Sequence, residues 1–106
     1  MLVDKIVDVT SALKAVAEPQ RRKILELLRT ETELSVGELA DRVDVTQQAV
    51  SLHLKVLEQA GLVEARREGT RHLYAVRPEG FQPVQTFVAQ FWNESLAQLA
   101  LKARKK

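Results

Sequence analysis

The stretch Val45 to Val63, VTQQAVSLHLKVLEQAGLV, has two unlike sides when wound as a helix. Val50, Leu54 and Leu57 share one side, which requires a core. The other side carries Gln48, Ser51, Leu52, Lys55 and Gln59, with Gln47 beside them in the first turn. A helix that merely faces water usually carries more charge than this. Amide and hydroxyl groups in such a row supply donors and acceptors at close approach, so their chemistry is recognition rather than bond breaking. Shortly after them Arg66, Arg67, Arg71 and Arg77 fall within 12 positions, with His72 among them. Such a cluster is a modest footprint for a polyanion.

The basic excess is local. Residues 1–44 hold 7 basic and 9 acidic side chains, residues 45–77 hold 5 and 3, and residues 78–106 hold 4 and 2. The overall charge of +2 therefore hides a basic second half. Zero cysteines remove disulfides, thiolate metal sites, cysteine nucleophiles and thiol redox switching together. With no paired-carboxylate motif, no glycine-rich phosphate loop and no histidine beside a nucleophile, an enzyme is the weakest reading.

These groups need a scaffold, and 106 residues suffice for one domain with a real core. Aromatics are scarce, so that core is expected to be mostly Leu, Val and Ala. A first helix is expected over about residues 3–17, with Ile6, Val9, Leu13 and Val16 as one apolar stripe. Pro19 ends it and opens a second helix to Arg29 that buries Ile24, Leu25 and Leu28. Ser35 and Glu38 stand at capping-box spacing and open a third helix through Val43, with Leu39 and Ala40 inward. Thr46 caps the fourth helix and Gly61 closes it. The intervening "DVT" is the tight turn of a helix-turn-helix. "LVEARR" and "RHLYAV" are strand-like and flank Glu68-Gly69, the mark of a hairpin. Pro78, Gly80 and Pro83 punctuate a loop, and a last helix is expected over about residues 84–102. The fold class is therefore mainly α with a β-hairpin wing, in the order α-α-α-α-β-β-α: a winged helix-turn-helix. The segment "MLVDKIVDVT" has no signal-peptide character and no apolar run approaches about 18 residues, so a cytoplasmic protein is expected, with no membrane partner.

The segments "AEPQRRKILELL", "LSVGELADRVDVTQQAVSLHLKVLEQAGLV" and "ARREGTRHLYAV" resemble the ArsR-type winged-helix transcriptional repressors of bacteria and archaea, in order and without gaps from about Leu13 to Val76. The resemblance implies a homodimer that binds a palindromic operator in double-stranded DNA and blocks transcription until an effector, here unknown, releases it. It places the fourth helix in the major groove and the wing in the adjacent minor groove. The residue chemistry agrees with that placement. Gln47 and Gln48 lie in the turn that meets bases, and glutamine can pair bidentately with adenine. Ser51 serves base or phosphate, Lys55 a phosphate, and Thr46 a phosphate beside its capping role. Leu52 either touches a thymine methyl or weakens specificity. In the wing, Arg66, Arg67, Arg71 and His72 suit a narrow minor groove or flanking phosphates. His53 lies about 60° from the Val50 direction, at the edge of the core. Tyr74 and Val76 are read as core.

The chain departs from the metal-sensing members, whose third helix carries a motif like "ELCVCDL". Here the same stretch reads "ELSVGEL", and Ser35 and Gly37 cannot replace thiolates. Between Val84 and Leu101 there is no Asp or His, and Glu94 is the only carboxylate. Only His53 and His72 remain, on different elements, so neither metal nor cofactor is expected.

The last helix keeps an apolar stripe of Val84, Phe87, Val88, Phe91, Trp92, Leu96 and Leu99. A winged helix has a core without it, and Leu2, Ile6 and Val9 form a similar stripe at the other end. The two terminal helices are expected to pair across a two-fold axis and build a dimer. That would set two recognition helices roughly 34 Å apart, as a palindrome requires. A small-molecule pocket near Phe87 and Trp92 is the alternative, although aromatic stripes at helical spacing are more often packing. The rival function is a winged-helix module that docks onto proteins without specific DNA binding, which an exposed Leu52 would favour.

Overall fold

The computed structural model describes residues 8 to 104. The expected start of the first helix, and with it Leu2 and Ile6, lies outside the described residues. The elements run α1 (Val9–Ala17), α2 (Pro19–Glu31), β1 (Leu34–Ser35), α3 (Val36–Val43), α4 (Gln47–Gln59), β2 (Val63–Glu68), β3 (Arg71–Val76), one turn of 3-10 helix (Pro78–Phe81) and α5 (Gln82–Arg104). This is the expected winged helix-turn-helix with an addition. β1 joins the hairpin as a third antiparallel strand, giving the order β1-β3-β2, with Leu34 opposite Tyr74 and Ser35 opposite Leu73.

Local chemistry sets most of the boundaries. Asp8 caps α1, its carboxylate accepting from the Ser11 amide at 2.7 Å, and that bond holds the carboxyl below its ordinary range. Glu18 caps α2 in the same way and Pro19 occupies its first turn. The corner between these helices is tied by two arginines of α2. Arg21 donates to the carbonyls of Ala15 (2.6 Å) and Lys14 (3.2 Å), and Arg22 to those of Val16 (2.7 Å) and Ala17 (3.0 Å). The last carbonyls of a helix have no partner within it and carry partial negative charge, so guanidinium groups suit them.

The core is aliphatic: Ile24 and Leu28 of α2, Leu39 and Val43 of α3, Val50, Leu54 and Leu57 of α4, then Leu62 and Val63. No polar or charged residue among the described ones is buried in it. The α1 expectation needs correction. Its fully buried residues are Ala12 and Ala15, whereas Leu13 is 40% exposed and Val9 and Val16 are half-buried. Small side chains let α1 lie close on its neighbours, while Val16 packs against the edge of the core and Leu13 is left at the surface. Tyr74 and Val76 pack against the core half-buried, while Leu73 is the more buried wing residue.

The segment expected as a loop is ordered differently. Pro78 opens the 3-10 turn, and α5 begins at Gln82 with Pro83 in its first turn, where a missing N–H costs nothing. Val84, at the start of α5, is half-buried and packs onto the chain's own core. Beyond it α5 leaves the body, with Phe87, Val88, Phe91, Trp92, Leu96, Leu99 and Leu101 exposed. No helix among the described residues is long and apolar enough to cross a membrane.

Candidate nucleic-acid interface

The helix-turn-helix is positioned by two adjoining caps. Asp44 ends α3 in the left-handed region (φ 59°), its amide donating to the Ala40 carbonyl at 3.2 Å. Aspartate tolerates that conformation better than most residues. Two residues later the Thr46 hydroxyl accepts from the Ala49 amide at 3.1 Å and starts α4. At the other end of α3, Ser35 and Glu38 form the reciprocal capping box, with bonds of 2.9 and 3.2 Å. So α4 is fixed at its first turn, and Val50, Leu54 and Leu57 fix its roll by burying one side.

That roll turns Gln47, Gln48, Ser51, Leu52 and Lys55 to the exterior, where the first four line one shallow concavity. Leu52 is 66% exposed, an unusual position for a leucine unless something covers it. Gln47 lies over the start of α3: a side chain added at Gly37 would meet the Gln47 Nε2 at 3.5 Å. His53 is half-buried at the rim, its Nδ1 3.4 Å from the Arg21 Nη1 and its Nε2 3.9 Å from a Glu18 oxygen. It locks α4 to the α1–α2 corner and belongs to the scaffold.

In the wing, β2 and β3 pair from Val63–Val76 out to Glu68–Arg71, and Gly69 turns the tip with φ 63°. The four basic wing residues divide into two kinds. Arg66 grips Glu33 with two bonds, 2.6 and 2.8 Å, and lies 3.7 Å from Glu68. Arg71 donates to Glu38 at 3.1 Å. Arg67 and His72 are paired across the hairpin and have no ion-pair or hydrogen-bond partner among the described residues. Arg66 holds the Glu33 carboxyl below its ordinary range, and the pairing raises Arg66 in return. Glu38 is lowered first by the Ser35 amide and then by Arg71 and Arg42. Arg77 belongs to the base of the wing: its amide donates to the Leu62 carbonyl at 2.8 Å and its guanidinium to the Gly61 carbonyl at 3.3 Å.

The sequence thus located the exposed polar face of Gln47, Gln48, Ser51, Lys55 and Gln59 on α4, but not Glu33 or Glu38 as partners of the wing. Each lies 33 residues from its arginine, and no local pattern announces such a pair. Val56 and Leu101 are further exposed apolar residues that the periodicity did not single out.

The site is a short polar helix face beside a hairpin with exposed positive charge. It can read donors, acceptors and charge on a partner. Relatives narrow the partner. A family model described as a helix-turn-helix domain matches residues 16–66. The HTH-type transcriptional regulator Rv2034 of Mycobacterium tuberculosis is 43% identical over 89 residues, 84% of this chain and 82% of its own. The transcriptional repressor SdpR of Bacillus subtilis is 29% identical over 84 residues, 79% of this chain and 92% of its own. Among solved structures, the homodimeric winged helix-turn-helix DNA-binding domain of Mb0332 from Mycobacterium bovis, a possible ArsR-family transcriptional regulator, matches with a TM-score of 0.65 at 35% identity. That match covers 81% of this chain and 79% of the other. Sequence, wing and helix-turn-helix agree, and the chain belongs to the ArsR-type winged helix-turn-helix transcription regulators.

Proposed function

We propose that the protein is a homodimeric repressor that binds a palindromic operator in double-stranded DNA and senses neither metal nor thiol oxidation. The observation that carries this reading is the α4 face: Gln47, Gln48, Ser51, Leu52 and Lys55 are all exposed on a helix whose other side is buried. Such a face fits a major groove, with the glutamines and Ser51 toward base edges, Leu52 toward a thymine methyl, and Lys55 and Thr46 toward phosphates. Arg67 and His72 carry the wing's first contact with DNA, and Arg66 and Arg71, held by Glu33 and Glu38, set its pose beside the phosphates.

The dimer follows from α5. Trp92 is 65% exposed and Leu99 62%, on a helix that leaves the body of the chain, and a second copy of α5 and α1 is the natural cover. Val9, Val84, Phe87, Val88, Phe91, Trp92, Leu96 and Leu99 form that contact, and Leu2 and Ile6, which the expected set also includes, lie outside the described residues. Against metal sensing stand the absence of cysteine from the sequence and the use of Ser35 in a capping box. Selection of bound duplexes from a random-sequence library tests the reading. A two-fold symmetric site is expected, and a set of unrelated sequences would contradict it.

The exposed Leu52 favours a second reading, a module that docks onto another protein through α4. Salt separates the two, because phosphate contacts weaken steeply with ionic strength and an apolar protein contact does not.

A further inference from the structure

Two of the wing's arginines do not present free charge. The Arg66 guanidinium is held by both oxygens of Glu33, and Arg71 by Glu38, and all four side chains are near or at the surface. Both carboxyls are held in their charged form by these surroundings and titrate below the ordinary range. The geometry points to Glu33 and Glu38 as specificity-determining positioning residues, which hold Arg66 and Arg71 out of indiscriminate phosphate contact.

The inference rests on the DNA reading above and adds to it. An arginine free on a hairpin tip binds any phosphate it meets, and each such contact strengthens binding to all sequences alike. An arginine already in a bidentate carboxylate pair must exchange one anion for another, so a passing phosphate gains little. The two acidic side chains also lie within a Debye length, about 8 Å at physiological salt, of the arginines they hold, and they repel the backbone of unmatched DNA. The anchoring elements matter as much as the charges. Glu38 stands in the first turn of α3, so its pair ties the wing to the helix-turn-helix, and Glu33 adjoins β1, so its pair ties the wing to the segment that leads into α3. Wing and α4 are thereby set as one reading surface, and Arg67 and His72 are left as the wing's outward groups.

The test compares unsubstituted protein, Glu33→Gln, Arg66→Gln and the double variant on a duplex selected from a random library and on its scrambled counterpart, across a salt series. Glu38→Gln serves as a parallel arm, since glutamine keeps the capping-box acceptor while losing the charge. Glu33→Gln is expected to bind scrambled DNA on the order of threefold more tightly or better, with a log–log salt slope steeper by up to about 0.9 for the contact Arg66 gains. Binding to the selected site should change less, so the ratio of the two affinities falls. Adding Arg66→Gln to Glu33→Gln should return scrambled-DNA binding to the original level, an effect that a merely structural glutamate would not produce. Unchanged scrambled-DNA affinity and slope in Glu33→Gln, or an equal gain on both duplexes, overturns the inference while leaving the DNA reading in place. No binding of either duplex by the unsubstituted protein at low salt overturns the DNA reading, and this inference with it.

Discussion

Gly80 and Gly61 meet backbone to backbone: a Cβ on Gly80 would run into the Gly61 carbonyl oxygen and stand 2.7 Å from its carbonyl carbon. This contact joins the end of α4 to the turn before α5, and Gly61 itself closes α4 with φ 79°. The same carbonyl accepts from Arg77. One small crossing therefore fixes α4, the wing base and α5 relative to one another.

Gly80→Ala is expected to destabilise the fold by at least about 1–3 kcal/mol, the usual cost of forcing atoms into a closed space, because backbone rather than a side-chain tip must move. The urea midpoint reads the loss. A midpoint equal to that of the unsubstituted protein would show that the crossing is looser than described.

Ser35→Ala removes half of the capping box and should cost about 1 kcal/mol, as should Thr46→Ala. Only the second lies at the proposed DNA face, so Thr46→Ala should also weaken DNA binding, whereas Ser35→Ala should do so only through stability. Chemical unfolding beside DNA titration separates the two effects.

On the proposed reading face, Gln48→Ala should relax base preference with modest loss of affinity. Arg67→Ala should weaken all sequences alike and lower the salt slope by about 0.9. An unchanged sequence preference in Gln48→Ala would mean that the helix lies in the groove in another register.

Acid should loosen the wing. Glu33 and Glu38 titrate below the ordinary value of 4.5, because Arg66 and the Ser35 amide favour their charged forms. A carboxyl lowered by folding contributes stability above its unfolded pKa and loses it as pH falls through the folded one. Stability should therefore decline from about pH 4.5 downward, and Glu33→Gln should flatten that decline. Urea midpoints measured from neutral pH to strongly acidic pH check it, and an identical acid limb in the variant would count against the pair.

Trp92→Glu and Phe91→Glu should yield folded monomers, since neither side chain is buried in its own chain. Sedimentation equilibrium at micromolar concentration reads the state. A monomeric unsubstituted protein would remove the proposed dimer.

Much of this was legible because local rules agreed with one another. Ser35, Glu38 and Thr46 announced their caps, and Val50, Leu54 and Leu57 announced which side of α4 is buried, so the exposed face followed by subtraction. What was missed depends on contacts between distant segments. β1 is two residues long and exists only because β3 lies beside it. In α1 the alanines rather than Leu13 face inward, because close helix packing selects small side chains where hydrophobicity alone would select leucine. The Arg66–Glu33 pair spans 33 residues and has no signature in either segment. The four basic wing positions were visible in the sequence, but which of them carry free charge is a property of the tertiary fold.

The most direct test of the central claim is fluorescence anisotropy of the protein against labelled duplex from upstream of its own gene, with scrambled duplex as control. Preference for the upstream duplex, with affinity falling by ~10³ or more between about 50 and 200 mM salt, is the expected result for an operator-binding dimer. Failure to bind either duplex at low salt would contradict it and turn attention to a protein partner for the α4 face.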